Sequence, residues 1–171
     1  MEDSVRIGVT NYRISLSEEN GKALFSAAKQ HGIEGIVAKR VDARYVPGKR
    51  SDAWIKVKVK ETMDCKIIGF TQGEGERERT FGSLHLAEET EMGLVYRGRV
   101  GSGFDDSLLK SLTSMLETLI VADKPIMEEA HEEKKSVWVQ PSLNCEVEYS
   151  MLTDNGTLRD AVFKKLIAED F

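Results

Sequence analysis

The hydrophobic and polar positions of the first 60 residues predict one helix followed by two strands. An apolar stripe at residues 24–28 lies between Ser17, a favourable N-cap, and Gly32, a favourable C-terminal stop. Residues 33–40 are rich in β-branched side chains and predict a strand. Residues 54–60 alternate apolar side chains, Trp54 among them, with lysine, which predicts a strand with one buried apolar face and one cationic face.

A different pattern begins near residues 60–62. From there on, short apolar runs bounded by glycine and polar turns predict five strands, at residues 65–70, 81–87, 94–100, 136–139 and 144–149. Leucines at helical spacing predict an internal helix over residues 105–120, and residues 160–168 predict a closing helix. This set is typical of a small closed barrel such as the oligonucleotide-binding (OB) fold, with a generic α+β sandwich as the alternative. We therefore expect an α+β chain with domains at residues 1–60 and 61–171.

Composition adds few restrictions to this picture. The 171 residues are 40% hydrophobic and 31% charged, which fits a globular protein. No apolar run approaches the ~20 residues of a membrane helix, and the acidic first residues lack the apolar region of a secretory signal. Cys65 and Cys145 form neither a metal motif nor a disulfide framework. We expect a cytoplasmic protein with two ordinary buried or half-buried thiols and no membrane partner.

Charge is distributed unevenly along the chain. Residues 1–60 hold 12 Lys and Arg against 7 Asp and Glu, a net charge of +5, whereas residues 61–171 hold 12 against 22, a net charge of −10. The basic excess is concentrated in residues 39–60, where a phosphate would be bound if the protein binds one. Charge alone favours the alternative, a solvated face on a pair of strands.

Four side chains in or next to the basic region could together bind a phosphate group and a metal ion. Lys56 and Lys58 are two residues apart on a predicted strand, so both point to one face and can reach one phosphate. Arg50, in the preceding turn, can add a forked contact. Glu34 offers an oxygen ligand for Mg²⁺ or an acceptor for a ribose hydroxyl. Such a group can hold the negative charge of a phosphoryl group in place.

Three segments that follow one another in this region carry a family resemblance. They are EGIVAKR at residues 34–40, YVPGKRS at 45–51 and WIKVK at 54–58. They resemble motifs IV and V of the covalent nucleotidyltransferases, and most closely those of the ATP-dependent DNA ligases of archaea and the bacterial end-joining ligases. Ordinary surface lysines would explain the last segment alone, but the three segments in order favour the ligase family.

The resemblance implies roles for individual residues. Glu34 would be the motif IV carboxylate near the metal, Arg50 and Lys56 would contact ATP, and Lys58 would be the second motif V lysine. ATP and Mg²⁺ would be the cofactors. Lys39 and Arg44 would each be either a cation at the surface or for the DNA backbone, or a further contact for ATP, with neither alternative favoured.

The second half of the chain resembles the OB domain of the same ligases. The landmarks are IIGFTQG at residues 67–73, FGSL at 81–84, GRVGSGF at 98–104, WVQP at 138–141 and TDNGTLR at 153–159. OB domains bind nucleic acid across a face of basic and aromatic residues. The candidates for contacts with nicked double-stranded DNA in this half are Lys66, Arg97, Arg99 and Arg159, of which the first three could equally be ordinary surface charges.

Two departures from the ligase pattern limit what this chain is expected to do. The K-x-D-G motif that carries the nucleophilic lysine is absent, so we expect no self-adenylation and an upstream adenylation half as partner. The segment 158–170 departs from motif VI, because Ile167, Glu169 and Asp170 stand where the family has arginine, aspartate and lysine. Lys164 or Lys165 could substitute from a neighbouring helical position.

The resulting expectation is the C-terminal portion of an ATP-dependent DNA ligase. The intact enzyme would seal nicks through lysyl-AMP and then DNA-adenylate, and this chain would supply ATP-phosphate contacts and the OB clamp on DNA. One alternative is a non-catalytic module that binds nicked or single-stranded DNA. A second alternative is a fragment of an RNA ligase or mRNA-capping nucleotidyltransferase, since capping enzymes share the logic of motifs IV and V.

Overall fold

A computed structural model of the chain describes residues 21–44, 47–48, 52–130 and 133–168. The chain divides into two compact units, Met1–Val59 and Lys60–Phe171. Both units combine helix and antiparallel sheet, which confirms the predicted α+β class.

The first unit contains a helix and a two-stranded antiparallel ribbon. Its elements are α1 Gly21–Gln30, β1 Gly35–Lys39 and β2 Trp54–Lys58. Gly32 ends the helix as predicted: its φ is 64°, a left-handed conformation that glycine adopts without strain. The Ile33 N–H then donates to the Ala28 carbonyl at 2.9 Å, which closes the last turn. This glycine stop sets the point from which the chain enters β1.

The predicted buried face of β2 is wrong for the described part of this unit. Ile55 and Val57 are 59% and 38% exposed, and every residue of the strand is exposed. The alternation is nevertheless present, because Ile55 and Val57 share one side of the strand and Lys56 and Lys58 the other. Alternation decides which side chains share a face, whereas burial requires a second layer, and no described residues form one over Ile55 and Val57.

The second unit contains seven strands and one α-helix among its described residues. The five predicted strands correspond to four of these strands, and the internal helix is present as predicted. In chain order its elements are β3 Glu61–Gln72, β4 Phe81–Thr90, β5 Gly93–Val100, α2 Asp106–Thr118, β6 Ser136–Tyr149, β7 Met151–Leu152, β8 Leu158–Arg159 and β9 Val162–Ile167. The main sheet has the order β5-β4-β3-β6-β9, and β7 pairs with β8. Asp105 is the N-cap of α2 and accepts a hydrogen bond from the Leu108 N–H at 2.8 Å.

The two edges of the main sheet meet where β5 ends. The Phe163 N–H on β9 donates to the Ser102 carbonyl, just beyond β5, at 2.9 Å. Gly103 makes this approach possible, because a Cβ there would lie 2.2 Å from the Phe163 carbonyl oxygen. The sheet therefore curves towards closure in the manner of an OB barrel. Its interior is filled from one side by α2, through Leu109, Leu112 and Leu116.

A bulge in the central strand β3 lets two neighbouring isoleucines enter two different cores. Ile67 pairs with Leu86 and Gly69 pairs with His85, so Ile68 is an extra residue without a partner on β4. Ile67 belongs to the main core, whereas Ile68 belongs to a second cluster with Trp138. Both are fully buried.

The strands predicted at residues 136–139 and 144–149 form one continuous strand, β6. The proline that suggested a break, Pro141, lies in a stretch where the register with β3 shifts. Ile67 pairs with Leu143 and Gly69 pairs with Trp138, so two steps along β3 correspond to five along β6. Pro141 is tolerated there because this stretch has no partner on β3 that would need its missing N–H.

The predicted closing helix at residues 160–168 is wrong, because Val162–Ile167 forms strand β9. On β9, Lys165 pairs with Glu146 and Phe163 with Val147, which leaves Lys164 as the extra residue of a bulge. The bulge breaks the two-residue alternation and puts two exposed lysines between two apolar pairs. That spacing imitates the pattern of an amphipathic helix.

The contact between Gly69 and Trp138 generates a prediction about stability. A Cβ at Gly69 would lie 2.7 Å from Cε3 of Trp138 and 2.8 Å from the Val137 carbonyl oxygen. We expect Gly69→Ala to lower the free energy of unfolding by about 1–3 kcal/mol through overpacking, measured by urea denaturation. Gly101→Ala is the matched control in the same unit, because its Cβ would meet nothing closer than 3.5 Å. Equal stability of the two variants would contradict this role of Gly69.

Candidate functional site

One face of the β1–β2 ribbon brings together four of the basic and aromatic side chains singled out from the sequence. Lys58 lies opposite Gly35, Lys56 opposite Val37, and Trp54 opposite Lys39. Directly opposite residues of an antiparallel pair share a face, so Lys39, Trp54, Lys56 and Lys58 project from the same side. Trp54 therefore belongs to the cationic face, not to the apolar face on which its hydrophobicity had placed it.

Lys39 and Trp54 contact each other directly on this face. The Lys39 ammonium lies 4.3 Å from the centroid of the indole ring, within the range of a cation–π interaction. The pairing draws Lys39 to the end of the ribbon where Trp54 begins β2. Lys56 stands in the next position along β2 on this face, and no described carboxylate lies within ion-pair distance of it.

Glu34 stands at the opposite end of the ribbon and is held beside Lys58. Its carboxylate lies 3.5 Å from the Lys58 ammonium, and its carbonyl accepts the Val59 N–H at 2.8 Å. Gly35 allows the strands to approach this closely, because a Cβ there would lie 2.3 Å from the Val57 carbonyl oxygen. Both charged side chains remain exposed, so an incoming ligand can reach them.

The composition of this face fits a nucleotide polyphosphate with Mg²⁺. Two lysines on one side of a strand supply point charges for phosphate oxygens. Mg²⁺ is usually held by one or two carboxylates together with substrate phosphates, so Glu34 suits one of its ligands. No group of three or more metal-ligating side chains occurs among the described residues. Arg50, the fourth predicted ATP contact, lies outside the described residues.

The five other residues predicted to contact DNA differ in their exposure and in the contacts they make within the protein. Lys66 has a side chain only 15% exposed and binds Asn144 Oδ1 at 3.2 Å and Glu89 at 3.4 Å. Arg44 and Arg159 are exposed and Arg99 is half-buried. Arg159 contacts the Met151 sulfur at 4.0 Å. The Arg97 side chain is only 17% exposed and forms an ion pair with Glu88.

Lys164 and Lys165, the two lysines that could substitute in motif VI, have acidic partners that were not identified from the sequence. Lys164 lies 3.7 Å from Glu148, and Lys165 lies 3.8 Å from Glu146. Lys60 also pairs with Glu148. The hydrogen bond from Lys60, together with the nearby charge of Lys164, lowers the pKa of Glu148 below its ordinary value. The only signal in the sequence was that Glu146 and Glu148 alternate on one predicted strand. The lysines that pair with them could not be identified without the order of the strands in the sheet.

The two cysteines are buried and unbonded, as expected from the sequence. They face each other across β3 and β6, where Cys65 pairs with Cys145. Burial, with smaller effects of nearby charges led by Glu88, raises the pKa of the Cys65 thiol to about 12. Burial also raises the pKa of Cys145. Neither thiol is therefore a nucleophile at neutral pH.

Models of two protein families match this chain, one in each unit. The model described as "ATP dependent DNA ligase domain" matches residues 1–58, and the model described as "ATP dependent DNA ligase C terminal region" matches residues 77–169. Among the described residues, no helix is long and apolar enough to span a membrane.

Curated relatives are similar over most of this chain but are much longer. The multifunctional non-homologous end joining DNA repair protein LigD of Mycobacterium tuberculosis is 37% identical over 149 residues, which are 86% of this chain and 20% of that protein. LigD of Pseudomonas aeruginosa is 37% identical over 170 residues, 96% of this chain and 19% of the relative. A DNA ligase of Methanopyrus kandleri is 40% identical over 129 residues, 74% of this chain and 22% of the relative. The chain thus spans about a fifth of the length of these relatives.

Solved structures of DNA ligases are also similar to this chain. The ligase domain of M. tuberculosis LigD is 36% identical with a TM-score of 0.60, and the match covers 86% of this chain and 48% of that domain. A mycobacterial DNA ligase D complexed with ATP and MES is 34% identical with a TM-score of 0.56, over 88% of this chain and 49% of that one. A Lig E DNA ligase at 23% identity and a TM-score of 0.59 supports the fold alone.

The lysine–glutamate pairs around β9 generate a prediction about pH. We expect Lys60→Gln to raise the pKa of Glu148 towards its ordinary value, measured by carbon-13 NMR titration of the side-chain carboxyl. A depressed folded-state pKa stabilises the fold above the pH at which the unfolded carboxyl titrates, and this stabilisation is lost as the pH falls through the folded-state pKa. The stability difference between wild type and variant should therefore be present at neutral pH and vanish in acid.

Lys110→Gln is the matched control for this titration, because it removes another exposed lysine of the same unit, on α2. The control should leave the pKa of Glu148 unchanged. An unaltered Glu148 titration in the Lys60 variant would contradict the assignment of Lys60 as its main partner.

Proposed function

The chain belongs to the ATP-dependent DNA ligase family, and on that premise we propose that it supplies the C-terminal portion of an enzyme that seals nicks in double-stranded DNA. Residues 1–60 would end the adenylation domain, and residues 61–171 would be the OB domain that clamps DNA. The observation that carries the proposal is the exposed face shared by Lys56 and Lys58, with the Glu34 carboxylate 3.5 Å from the Lys58 ammonium. These side chains coincide with the motif IV and V segments of the family.

In the proposed reaction this face binds the phosphates of ATP. Lys56 has no described acidic partner, so its ammonium is available to a phosphate oxygen. Lys58 is held beside Glu34 and would contact a phosphate from a fixed position. Fixed positive charge stabilises the negative charge of phosphoryl transfer without reorganisation at the moment of reaction. Arg50, in the preceding segment, would add a forked contact.

Mg²⁺ would be held partly by Glu34. The carboxylate is exposed and can bind the ion together with phosphate oxygens. The bound ion would supply charge neutralisation on those oxygens. Since Glu34 also pairs with Lys58, the same carboxylate would keep this lysine close to the phosphates.

The nucleophile would come from an upstream adenylation half, because the sequence contains no K-x-D-G motif. That half would carry the lysine that forms lysyl-AMP, from which AMP passes to the DNA 5′-phosphate before the phosphodiester forms. The present chain would orient the phosphates in the first step and hold the nicked duplex in the later ones. Lys39, Arg44, Lys66, Arg99 and Arg159 are the proposed cations for the DNA backbone.

A non-catalytic role in binding nicked DNA is the second candidate. It is favoured by β9, where Lys164 and Lys165 are paired with Glu148 and Glu146 and where Ile167 occupies a position at which the family has arginine. These lysines would have to leave their acidic partners to replace the motif VI cations. In that case the chain would bind a nick without supporting adenylation.

Adenylate formation tests the proposed role of the lysine face. The chain is mixed with an upstream ligase segment that bears the nucleophilic lysine, and α-labelled ATP with Mg²⁺ is added. We expect Lys56→Ala and Lys58→Ala each to slow labelling of the upstream segment by about 10²–10³-fold, the usual cost of removing one charge-stabilising donor. Lys22→Ala, at an exposed position of α1, is the control and should label at the wild-type rate. Wild-type labelling by the Lys56 and Lys58 variants would exclude an ATP role for this face.

A further inference from the structure

Arg97 occupies an unusual place in the OB unit, because it is the extra residue of a bulge. Ala87 pairs with Tyr96 and Leu86 pairs with Gly98, so Arg97 of β5 has no partner on β4. Gly98 follows with a φ of 96°, which permits the bulged backbone. Bulges redirect a side chain relative to a regular strand, and here the redirected side chain is a long cation.

All three nitrogens of the redirected guanidinium donate hydrogen bonds within the protein. Its Nε and Nη2 donate to Oε2 of Glu88 at 2.7 and 2.5 Å, and its Nη1 donates to the Gly156 carbonyl at 2.9 Å. The side chain is only 17% exposed. A guanidinium with all three nitrogens engaged and little exposed surface would have to break these bonds to bind a DNA phosphate.

The Gly156 contact fixes the turn of the β7–β8 hairpin against β5. At Gly156 a Cβ would lie 2.9 Å from Nη1 of Arg97, so the guanidinium rests directly on this turn. Beside it, a Cβ at Gly98 would lie 3.3 Å from Cβ of Thr157. The turn itself is closed by the Gly156 N–H, which donates to the Thr153 carbonyl at 2.8 Å.

A second attachment holds the other end of the hairpin. Buried Ser150 donates its N–H to the Arg159 carbonyl at 3.0 Å, and its hydroxyl lies 3.2 Å from Asp160 Oδ2. Asp160 has a φ of 55°, a conformation uncommon for residues other than glycine, asparagine and aspartate. The hairpin is therefore fixed at its turn and at its base, and Arg159 is exposed between the two attachments.

We propose that Arg97 is a positioning residue which, with Glu88, holds the β7–β8 hairpin so that Arg159 meets a phosphate of the bound substrate. This assignment replaces a direct contact between Arg97 and DNA, and it rests on the proposed function for the identity of the substrate. The phosphate belongs either to the DNA backbone or to ATP, and the two are separated by experiment. In this arrangement Glu88 favours the binding of a negatively charged substrate indirectly, by holding the hairpin in place, although Glu88 is itself negatively charged.

Amide hydrogen exchange on the full chain tests the positioning directly, with no substrate present. Loss of a charge-assisted contact should speed exchange of the Gly156 N–H about tenfold or more in Glu88→Gln and in Arg97→Lys, which keeps the charge but loses the fork. Glu89→Gln is the matched control, since it removes the same charge from the neighbouring residue, whose partner is Lys66. Unchanged exchange in both test variants would overturn the proposal, whether or not the chain is part of a ligase.

Binding of a nicked duplex at several salt concentrations tests what the hairpin presents. We expect Glu88→Gln to weaken binding although it removes a negative charge, and to lower the salt slope by about 0.9, the value for one phosphate contact. Arg159→Gln should have the same effect alone and no further effect in the Glu88→Gln background. Glu89→Gln should bind as tightly as wild type or more tightly.

Adenylate formation without DNA distinguishes the source of the phosphate. A matching loss in Glu88→Gln and Arg159→Gln in this reaction, with nick binding unchanged, would assign the phosphate to ATP and support the positioning role. If Glu88→Gln behaves like Glu89→Gln in both assays while Arg159→Gln keeps its full effect, the proposal is overturned. A wild-type chain that supports no adenylation counts against the proposed function, and nick binding and exchange still decide the role of Arg97.

Discussion

The close contact between the Gly69 backbone and the Trp138 ring is the constraint on which the OB unit depends. It occurs where β3 bulges, so that Ile67 enters the main core and Ile68 the second cluster. Full burial of each isoleucine contributes about 1.5–3 kcal/mol. The register between β3 and β6 shifts at the same position, and such irregularities bend a strand, as suits a sheet in which Phe163 meets Ser102.

Regular alternation made most of the strands predictable, and register shifts account for the errors at β6 and β9. Local periodicity and capping predict β3, β4, β5, the two ends of β6, the helix α2 and the glycine stop at Gly32. The segment Val162–Ile167 was predicted as a helix because the bulge at Lys164 places two lysines in succession. Bulges depend on the partner strand, and a partner strand is invisible to local sequence patterns.

The candidate site was predictable to the extent that it lies on one regular strand pair. Lys56 and Lys58 share a face because a strand has a period of two, and Glu34, just before β1, reaches Lys58 as its ion-pair partner. Trp54 was placed on the wrong face because its hydrophobicity was given more weight than its position in the alternation. The engagement of Arg97 by Glu88 and Gly156 was not predictable, since it combines a bulge with a turn 59 residues further along the chain.

Nick sealing tests the central claim most directly. A duplex with a labelled 5′-phosphate at a single nick is incubated with ATP and Mg²⁺, with this chain, with an upstream segment carrying the nucleophilic lysine, and with both. The account predicts sealed product at a rate well above that of either part only when both are present, and loss of that gain with Lys56→Ala. A rate in the mixture equal to that of the upstream segment alone would contradict it.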